Sequence, residues 1–156
     1  MAAAGYACKT EGAVALVAAT AKTIIGVKAH ANSGIQLKSY EFAFDGVTAS
    51  GIPVLVELCY VTFATNSPST ASTTTTPVQK YGRVLTAGFT SAKNWTTEPT
   101  VVTPIDEFLI TPNAGAVLYQ NPLGQEHDTA LAEGLCFRLN APAAVNVRAT
   151  MNVERI

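Results

Sequence analysis

Charged side chains are scarce in this sequence. Asp, Glu, Lys and Arg make up 13% of the 156 residues, against a usual share of roughly 25%, whereas 48% of the residues are hydrophobic. A surface with so few charges must be largely neutral or apolar. The composition therefore favours a protein that associates with copies of itself or joins a lattice.

Basic clusters and long apolar runs are also missing. The net charge is -1 and no run of Lys or Arg occurs, so the sequence predicts no nucleic-acid partner, because phosphate binding needs a basic surface. The apolar segment at residues 13–19 is far shorter than the roughly 20 residues of a membrane span, and no basic segment precedes it. We expect neither a membrane partner nor a secretory signal.

Cysteine and histidine are too few and too dispersed for a metal site. Cys8, Cys59 and Cys136 are widely spaced, without a CxxC pair, and His30 and His127 are distant from each other. We predict that the cysteines are small buried hydrophobic residues. No cofactor is expected.

Only one segment offers acid/base chemistry. His127 stands between Glu126 and Asp128, which could place a carboxylate beside an imidazole. The favoured alternative is a solvated turn, because the sequence shows no nucleophile or metal partner for a catalytic histidine. Asp106 and Glu107 are adjacent and point to opposite sides of a strand, so they form no carboxylate pair. The sequence thus predicts a protein that is not an enzyme, with no catalytic, cofactor-binding or metal-binding residue.

The single tryptophan, Trp95, lies in a polar segment typical of a loop. Its ring could stack on a sugar. An aromatic residue that caps the sandwich or contacts another subunit is the favoured interpretation, since aromatic side chains are enriched at interfaces.

Alternating apolar and polar residues dominate the rest of the chain. Residues 145–153 alternate strictly, as in a half-buried strand, and residues 135–139 do so before a break at 141–143. This pair of strands is either a hairpin or a corner between two sheets. Residues 52–65 are apolar on both faces, which predicts a central strand covered on both sides, with a neighbouring subunit as one possible cover.

A change of phase centred on Ser39 predicts a β-bulge, and Asp45-Gly46 supplies turn chemistry after it. Further strands are predicted at residues 23–30, 79–85, 101–110 and 116–120. Short strands at this spacing indicate an all-β, single-domain antiparallel sandwich or barrel.

The predicted organisation has an N-terminal arm and lead-in over residues 1–21, followed by the β-sandwich domain over residues 22–156. The Ala/Gly-rich residues 1–12 show no strand pattern, so we expect them to lie along a partner and to serve assembly more than folding. The alternative is that they pair within their own trimer and close a sheet edge. The Ser/Thr/Pro-rich residues 65–77 are expected to form a mobile surface loop.

Three segments resemble small phage virion structural proteins. They are residues 39–58 (SYEFAFDGVTASGIPVLVEL), 118–126 (LYQNPLGQE) and 138–153 (RLNAPAAVNVRATMNV). The resemblance implies a jelly-roll-like subunit, a homotrimer, that decorates or cements the outside of a capsid by binding the major capsid protein. The Thr-rich segment around 73–76 and the first twenty residues have no counterpart in this resemblance, and none of its motifs is catalytic.

Two other functions compete with capsid decoration. A carbohydrate- or receptor-binding trimeric head of a phage fibre could share the architecture, but fibres usually carry a long N-terminal stalk and only about twenty residues precede the first predicted strand here. A cupin-like enzyme would need several metal-binding histidines on its strands, and two distant histidines disfavour it.

Overall fold

The computed structural model describes residues 3–44 and 51–156. Within these residues the chain forms thirteen strands and a 3-10 turn at Pro112–Ala114, and no α-helix. The strands are β1 (Ala4–Lys9), β2 (Val14–Leu16), β3 (Thr20–Lys28), β4 (Ile35–Phe44), β5 (Val54–Val61), β6 (Thr73–Thr75), β7 (Val78–Tyr81), β8 (Thr90–Lys93), β9 (Val102–Ile110), β10 (Ala116–Gln120), β11 (His127–Asp128), β12 (Gly134–Ala141) and β13 (Val145–Arg155).

The strands form two antiparallel sheets that pack face to face. The first sheet has the order β10-β4-β13-β1-β7, with β11 beside β4 and β2 beside β13, and the second has the order β6-β8-β3-β12-β5-β9. Two four-stranded sets within these sheets, β10-β4-β13-β1 and β3-β12-β5-β9, are connected as in a jelly roll. The predicted all-β antiparallel sandwich is therefore confirmed.

Aromatic rings from both sheets meet at the centre of the core. Phe42 of β4 lies edge to face with Phe137 of β12, with ring centroids 4.6 Å apart, and Tyr40 lies 4.8 Å from the same Phe137 ring. Aromatic pairs of this kind contribute about 0.5–1.5 kcal/mol beyond the burial of their surface. Because β4 and β12 belong to different sheets, these contacts set how the sheets face each other.

The C-terminal strands follow the predicted alternation. The buried residues of β13 are Val145, Val147, Ala149, Met151 and Val153. β12 contains the predicted segment 135–139, but it belongs to the second sheet while β13 belongs to the first. The break at residues 141–143 is therefore a corner between the sheets and not a hairpin.

The bulge predicted in β4 is present. The buried residues change phase along the strand, from Ile35 and Leu37 to Tyr40 and Phe42. The pairing of β4 with β13 skips one residue, Lys38, at this point. An extra residue lets both halves of a strand direct their apolar side chains to the same core. The turn predicted at residues 45–46 lies outside the described residues.

β5 is a central strand of the second sheet, as predicted, and both of its faces are covered. Val56 and Leu58 belong to the core between the sheets, whereas Cys59 lies on the opposite face beside Cys136 of β12. Cys59 and Cys136 are fully buried although this face points away from the first sheet.

The chain itself covers this outer face. Phe63 follows β5 and Trp95 follows β8, and their rings stack with centroids 6.1 Å apart over the two cysteines. Gly26 in β3 leaves room for the indole, because a Cβ there would lie 3.0 Å from the Trp95 ring. A neighbouring subunit is thus not needed to bury the second face of β5.

The prediction of a mobile loop over residues 65–77 is wrong for its last part. Thr73–Thr75 forms β6, which pairs with β8 at the edge of the second sheet. Thr75 is buried, and its hydroxyl oxygen lies 2.7 Å from that of Ser91. Hydroxyl groups that bond to each other can enter a core, so a neutral Ser/Thr segment can pack where a charged one could not. The strand predicted at 79–85 is shorter and ends at Tyr81.

The prediction that residues 1–21 form an arm outside the fold is wrong for the described residues. β1 lies inside the first sheet, between β13 and β7, and β3 already begins at Thr20. Every residue of β1 before Lys9 is buried. Burial on both faces removes the apolar/polar alternation that identifies a strand, and the ring of Tyr81 occupies the space beside Gly5 that a side chain would fill.

Substitutions at two adjacent residues of β1 test this correction. Cys8→Asp should prevent folding, because the buried carboxylate costs several kcal/mol, a large part of a typical stability of roughly 5–15 kcal/mol. Lys9→Asp is the matched control and should leave a cooperative unfolding transition, since Lys9 is exposed. Circular dichroism during thermal unfolding measures both. If both variants unfold at similar temperatures, residues 1–9 are not part of the core, which would contradict the position of β1 and support the predicted arm.

Candidate functional site

The three cysteines are buried, as predicted. Burial raises the pKa of the Cys8 thiol to about 12. The Cys59 thiol and burial together raise the pKa of Cys136 well above its ordinary value. The Cys8 and Cys136 thiols are therefore protonated at neutral pH, which makes them poor nucleophiles and poor metal ligands. Within the described residues, no three metal-binding side chains come together.

His127 pairs with a carboxylate that is remote in sequence. It lies in β11, beside β4, and not in the solvated turn that the sequence favoured. Its Nε2 atom lies 3.1 Å from Oδ2 of Asp106 in β9, and its ring meets the edge of the Tyr60 ring with centroids 6.5 Å apart. Because β11 and β9 belong to different sheets, these contacts join the sheets along one side of the sandwich.

Trp95 is not available for a ligand. Only 1% of the residue is exposed, and its Nε1 donates a hydrogen bond of 2.7 Å to the carbonyl oxygen of Asn66. The ring cannot stack on a sugar while it covers Cys59 and Cys136. The indole therefore has a structural role on the outer face of the second sheet.

One side of the sandwich has two edge strands, β10 of the first sheet and β9 of the second, and we call these two strands the open edge. β10 contains no charged residue. Its Leu118 is 68% exposed, and Leu109 of β9 is exposed to a similar degree. Among the described residues, no strand pairs with the outer side of β10, and an uncharged edge strand with exposed apolar side chains is a template for association.

An aromatic groove of about 340 Å³ lies between the two strands of the open edge. Tyr40 stacks with Tyr119 of β10 at 5.2 Å and with Phe108 of β9 at 6.3 Å between ring centroids. Burial, together with the charge of Asp106, raises the pKa of Tyr40 to about 12, so its hydroxyl remains protonated. The groove thus combines aromatic rings with a carboxylate at its rim.

A fixed turn follows β10 at residues 121–126, within the LYQNPLGQE segment. The Asn121 side chain donates to the Leu37 carbonyl oxygen at 2.7 Å, and its backbone N–H donates to the Lys38 carbonyl oxygen at 2.9 Å. The Glu126 carboxylate accepts hydrogen bonds from Lys38 Nζ at 2.7 Å and from the Gly124 N–H at 2.6 Å. The bulge residue Lys38 therefore holds this turn at both ends.

The tip of this turn carries Leu123, which is 94% exposed. Its exposure results from the turn itself, because Gly124 has a positive φ of 83° and the Gln125 N–H bonds back to the Pro122 carbonyl oxygen at 3.0 Å. A leucine placed between turn-forming residues is a sequence signal for an exposed apolar tip. The sequence prediction of site residues did not use this signal and missed the open edge altogether.

Comparison with known proteins identifies no relative. No protein-family model, curated protein or solved structure matches the chain. Among the described residues, no helix is long and apolar enough to cross a membrane. The fold and the open edge are thus the observations from which a function must be argued.

Replacing Glu126 tests whether the turn is held as described. Glu126→Ala should speed amide hydrogen exchange at Gly124, whose N–H loses its acceptor, and should lower the melting temperature. In the wild-type protein, the hydrogen bond from Lys38 lowers the pKa of Glu126 below its ordinary value of 4.5. This stabilisation is therefore present above pH 4.5 and is lost as the pH falls through the lowered pKa.

Glu133→Ala serves as the control, because Glu133 is exposed and its side chain makes no contact that holds this turn. NMR-detected exchange at neutral and acidic pH measures the effect. Unchanged protection of the Gly124 amide in Glu126→Ala would contradict the role given to Glu126.

Proposed function

We propose that this chain is a structural subunit of a phage virion that decorates the outside of the capsid. In this role it forms a homotrimer, binds the major capsid protein and catalyses no reaction. The observation that supports the proposal is the open edge, where an uncharged edge strand, β10, presents Leu118 to solvent next to β9, the edge strand of the second sheet.

A protein that works as a monomer usually covers an edge strand or places charges on it, because bare edges associate. β10 carries no charge and has no covering strand within the described part of the chain, and the turn after it adds the exposed Leu123. Such an edge suits a protein that is covered by a partner when it works.

A threefold ring needs two different surfaces on every subunit, since each copy contacts its two neighbours through different faces. The open edge offers two such surfaces, β10 with Leu118 on the first sheet and β9 with Leu109 on the second. A trimer also presents three identical contacts to the capsid at once. Weak individual contacts then become tight through their effective concentration.

The resemblance to phage virion proteins supports the same function. The segment LYQNPLGQE corresponds to most of β10 and the fixed turn, and RLNAPAAVNVRATMNV covers the corner between β12 and β13. The first of these segments contains both Leu118 and Leu123. The resemblance therefore includes part of the surface on which the proposal rests.

A receptor- or carbohydrate-binding fibre head is the second candidate. One observation favours it, the aromatic groove with Tyr119 and Asp106, because sugars stack on aromatic rings and donate hydrogen bonds to carboxylates. The buried Trp95 gives it no support. The open edge serves either function, so the number of copies in a particle separates the two.

Quantitative mass spectrometry of purified particles tests the proposal. A decoration protein should be present in a number of copies comparable with that of the major capsid protein, because it coats a repeating lattice. A few copies per particle would instead favour the fibre head. Absence from the particles would reject both functions.

The oligomeric state provides a second test. Leu118→Lys should leave the fold intact, because exposed substitutions usually change stability by about 0.5 kcal/mol or less. It should nevertheless convert the trimer into monomers, since the added charge protects the edge. Val17→Lys is the matched control and should remain trimeric, as Val17 is similarly exposed but lies outside the open edge. Light scattering measures the mass, and a trimeric Leu118→Lys variant would remove β10 from the subunit contact.

A further inference from the structure

A second surface lies near the opposite edge of the first sheet, the edge formed by β1 and β7. It is a concavity of about 580 Å³ beside β1, the end of β13 and the segment that follows β7. Two arginines, Arg83 and Arg155, line it together with apolar side chains that include Leu85 and Ile156. The concavity therefore combines positive charge with apolar surface.

The segment at residues 82–88 has no regular secondary structure, but it is held in place. Side chains from three strands, β1, β7 and β13, bond to its backbone. These hydrogen bonds are Gln79 Nε2 to the Arg83 carbonyl oxygen at 2.8 Å, Leu85 N–H to Gln79 Oε1 at 3.3 Å, Tyr6 hydroxyl to the Leu85 carbonyl oxygen at 2.8 Å and Arg155 Nη1 to the Thr86 carbonyl oxygen at 3.0 Å. Arg83 thus projects from a segment whose backbone is already ordered.

Neither arginine has a carboxylate partner among the described residues. Arg138, by contrast, donates from Nε to Glu57 at 2.7 Å on the outer face of the second sheet. No ion pair among the described residues includes Arg83 or Arg155. Two guanidinium groups at one concavity therefore retain hydrogen-bond donors for an external anion.

The size and lining of the concavity indicate what kind of anion fits. Its 580 Å³ falls in the range of roughly 300–1,000 Å³ that is typical of pockets for ligands much larger than a single inorganic ion. Ala4, Leu85 and Ile156 give the lining its apolar part. The complementary ligand is a segment in which carboxylate side chains alternate with apolar ones.

We propose that this concavity binds an acidic, apolar-flanked segment of a partner protein, with Arg83 and Arg155 holding its carboxylates. The inference rests on the proposed function in one respect, that the partner is the capsid protein on which the subunit sits. Arg155 is fixed by its bond to Thr86 and orients the segment, whereas the exposed Arg83 closes over it. The apolar lining contributes affinity and the arginines contribute register and specificity.

Peptide binding to the full chain tests the site. The probe is a fluorescein-labelled peptide in which two glutamates alternate with leucines, and its control peptide has glutamine at both positions. Fluorescence anisotropy should show that Arg83→Gln lowers the affinity for the glutamate peptide by about fivefold. Added salt should lower this affinity further. Lys9→Gln is the matched protein variant, because it removes one exposed positive charge at the far end of β1, about 16 Å from Ala4.

Three outcomes would overturn the inference. The first is equal binding of the glutamate and glutamine peptides to the wild-type protein. The second is an equal effect of Arg83→Gln and Lys9→Gln. The third is displacement of the glutamate peptide by millimolar inorganic phosphate but not by sodium chloride of equal ionic strength, which would assign the site to a free anion instead of a protein segment.

Binding to capsids that lack this protein separates the site from the proposed function. If the wild-type protein binds capsids and Arg83→Gln binds them with about fivefold lower affinity, the result supports both the site and the proposed function. Equal capsid binding by wild type and Arg83→Gln overturns this inference and leaves the proposed function intact. A wild-type protein that binds the glutamate peptide but no capsid supports the acidic-segment site and rejects capsid decoration.

Discussion

The extra residue at Lys38 is the constraint on which much of this structure depends. Strand side chains alternate with a period of two, so a regular β4 would direct either Leu37 or Tyr40 away from the core. The bulge places both inside, which gives Phe137 its aromatic partners from the opposite sheet. It also frees the Lys38 side chain to bond Glu126, and the Lys38 carbonyl to bond Asn121. The core and the surface turn therefore have one common origin.

This dependence extends to the open edge. The turn held by Lys38 connects β10 to β11, and both of these strands pair with β4 on the same side. Loss of the bulge would shift the alternation of β4 by one residue, and Tyr40 could no longer stack with Tyr119. The exposure of Leu118 and Leu123 thus follows from how the core is packed and is not an independent property of the surface.

The sequence predicted those elements that carry a recognisable apolar pattern, which is a long apolar run in β5 and alternation in β13 and β4. β13 and β4 show alternation because one face meets the core and the other is partly solvated, and their signals, including the bulge, identified them correctly. β1 and β6 gave no such signal. β1 is buried on both faces, and Thr75 enters the core only because the distant Ser91 bonds to it. A partner that is remote in sequence cannot be read from local periodicity.

The candidate surfaces were less predictable than the fold for a related reason. The sequence directed attention to Trp95 and to the neighbours of His127, yet Trp95 fills the space above Gly26, and the nearest carboxylate to the His127 imidazole belongs to Asp106, remote in sequence. The open edge exists because no described strand pairs with the outer side of β10. The residues of β10 themselves do not encode whether such a neighbour is present. The concavity at Arg83 likewise depends on how side chains of β1, β7 and β13 order one irregular segment.

Scarcity of charge gives the two surfaces different physical uses. A neutral edge such as β10 associates through backbone hydrogen bonds and apolar contact, which bind well but discriminate poorly between partners, because no like charge repels a wrong one. Unpaired guanidinium groups have the opposite character: they add modest affinity in water but fix orientation and reject basic surfaces. The proposed function, in which the subunit first finds its own copies and then sits in one orientation on a different protein, requires both properties. Arg83 and Arg155, which take part in no ion pair among the described residues, are the groups that we propose for the second property.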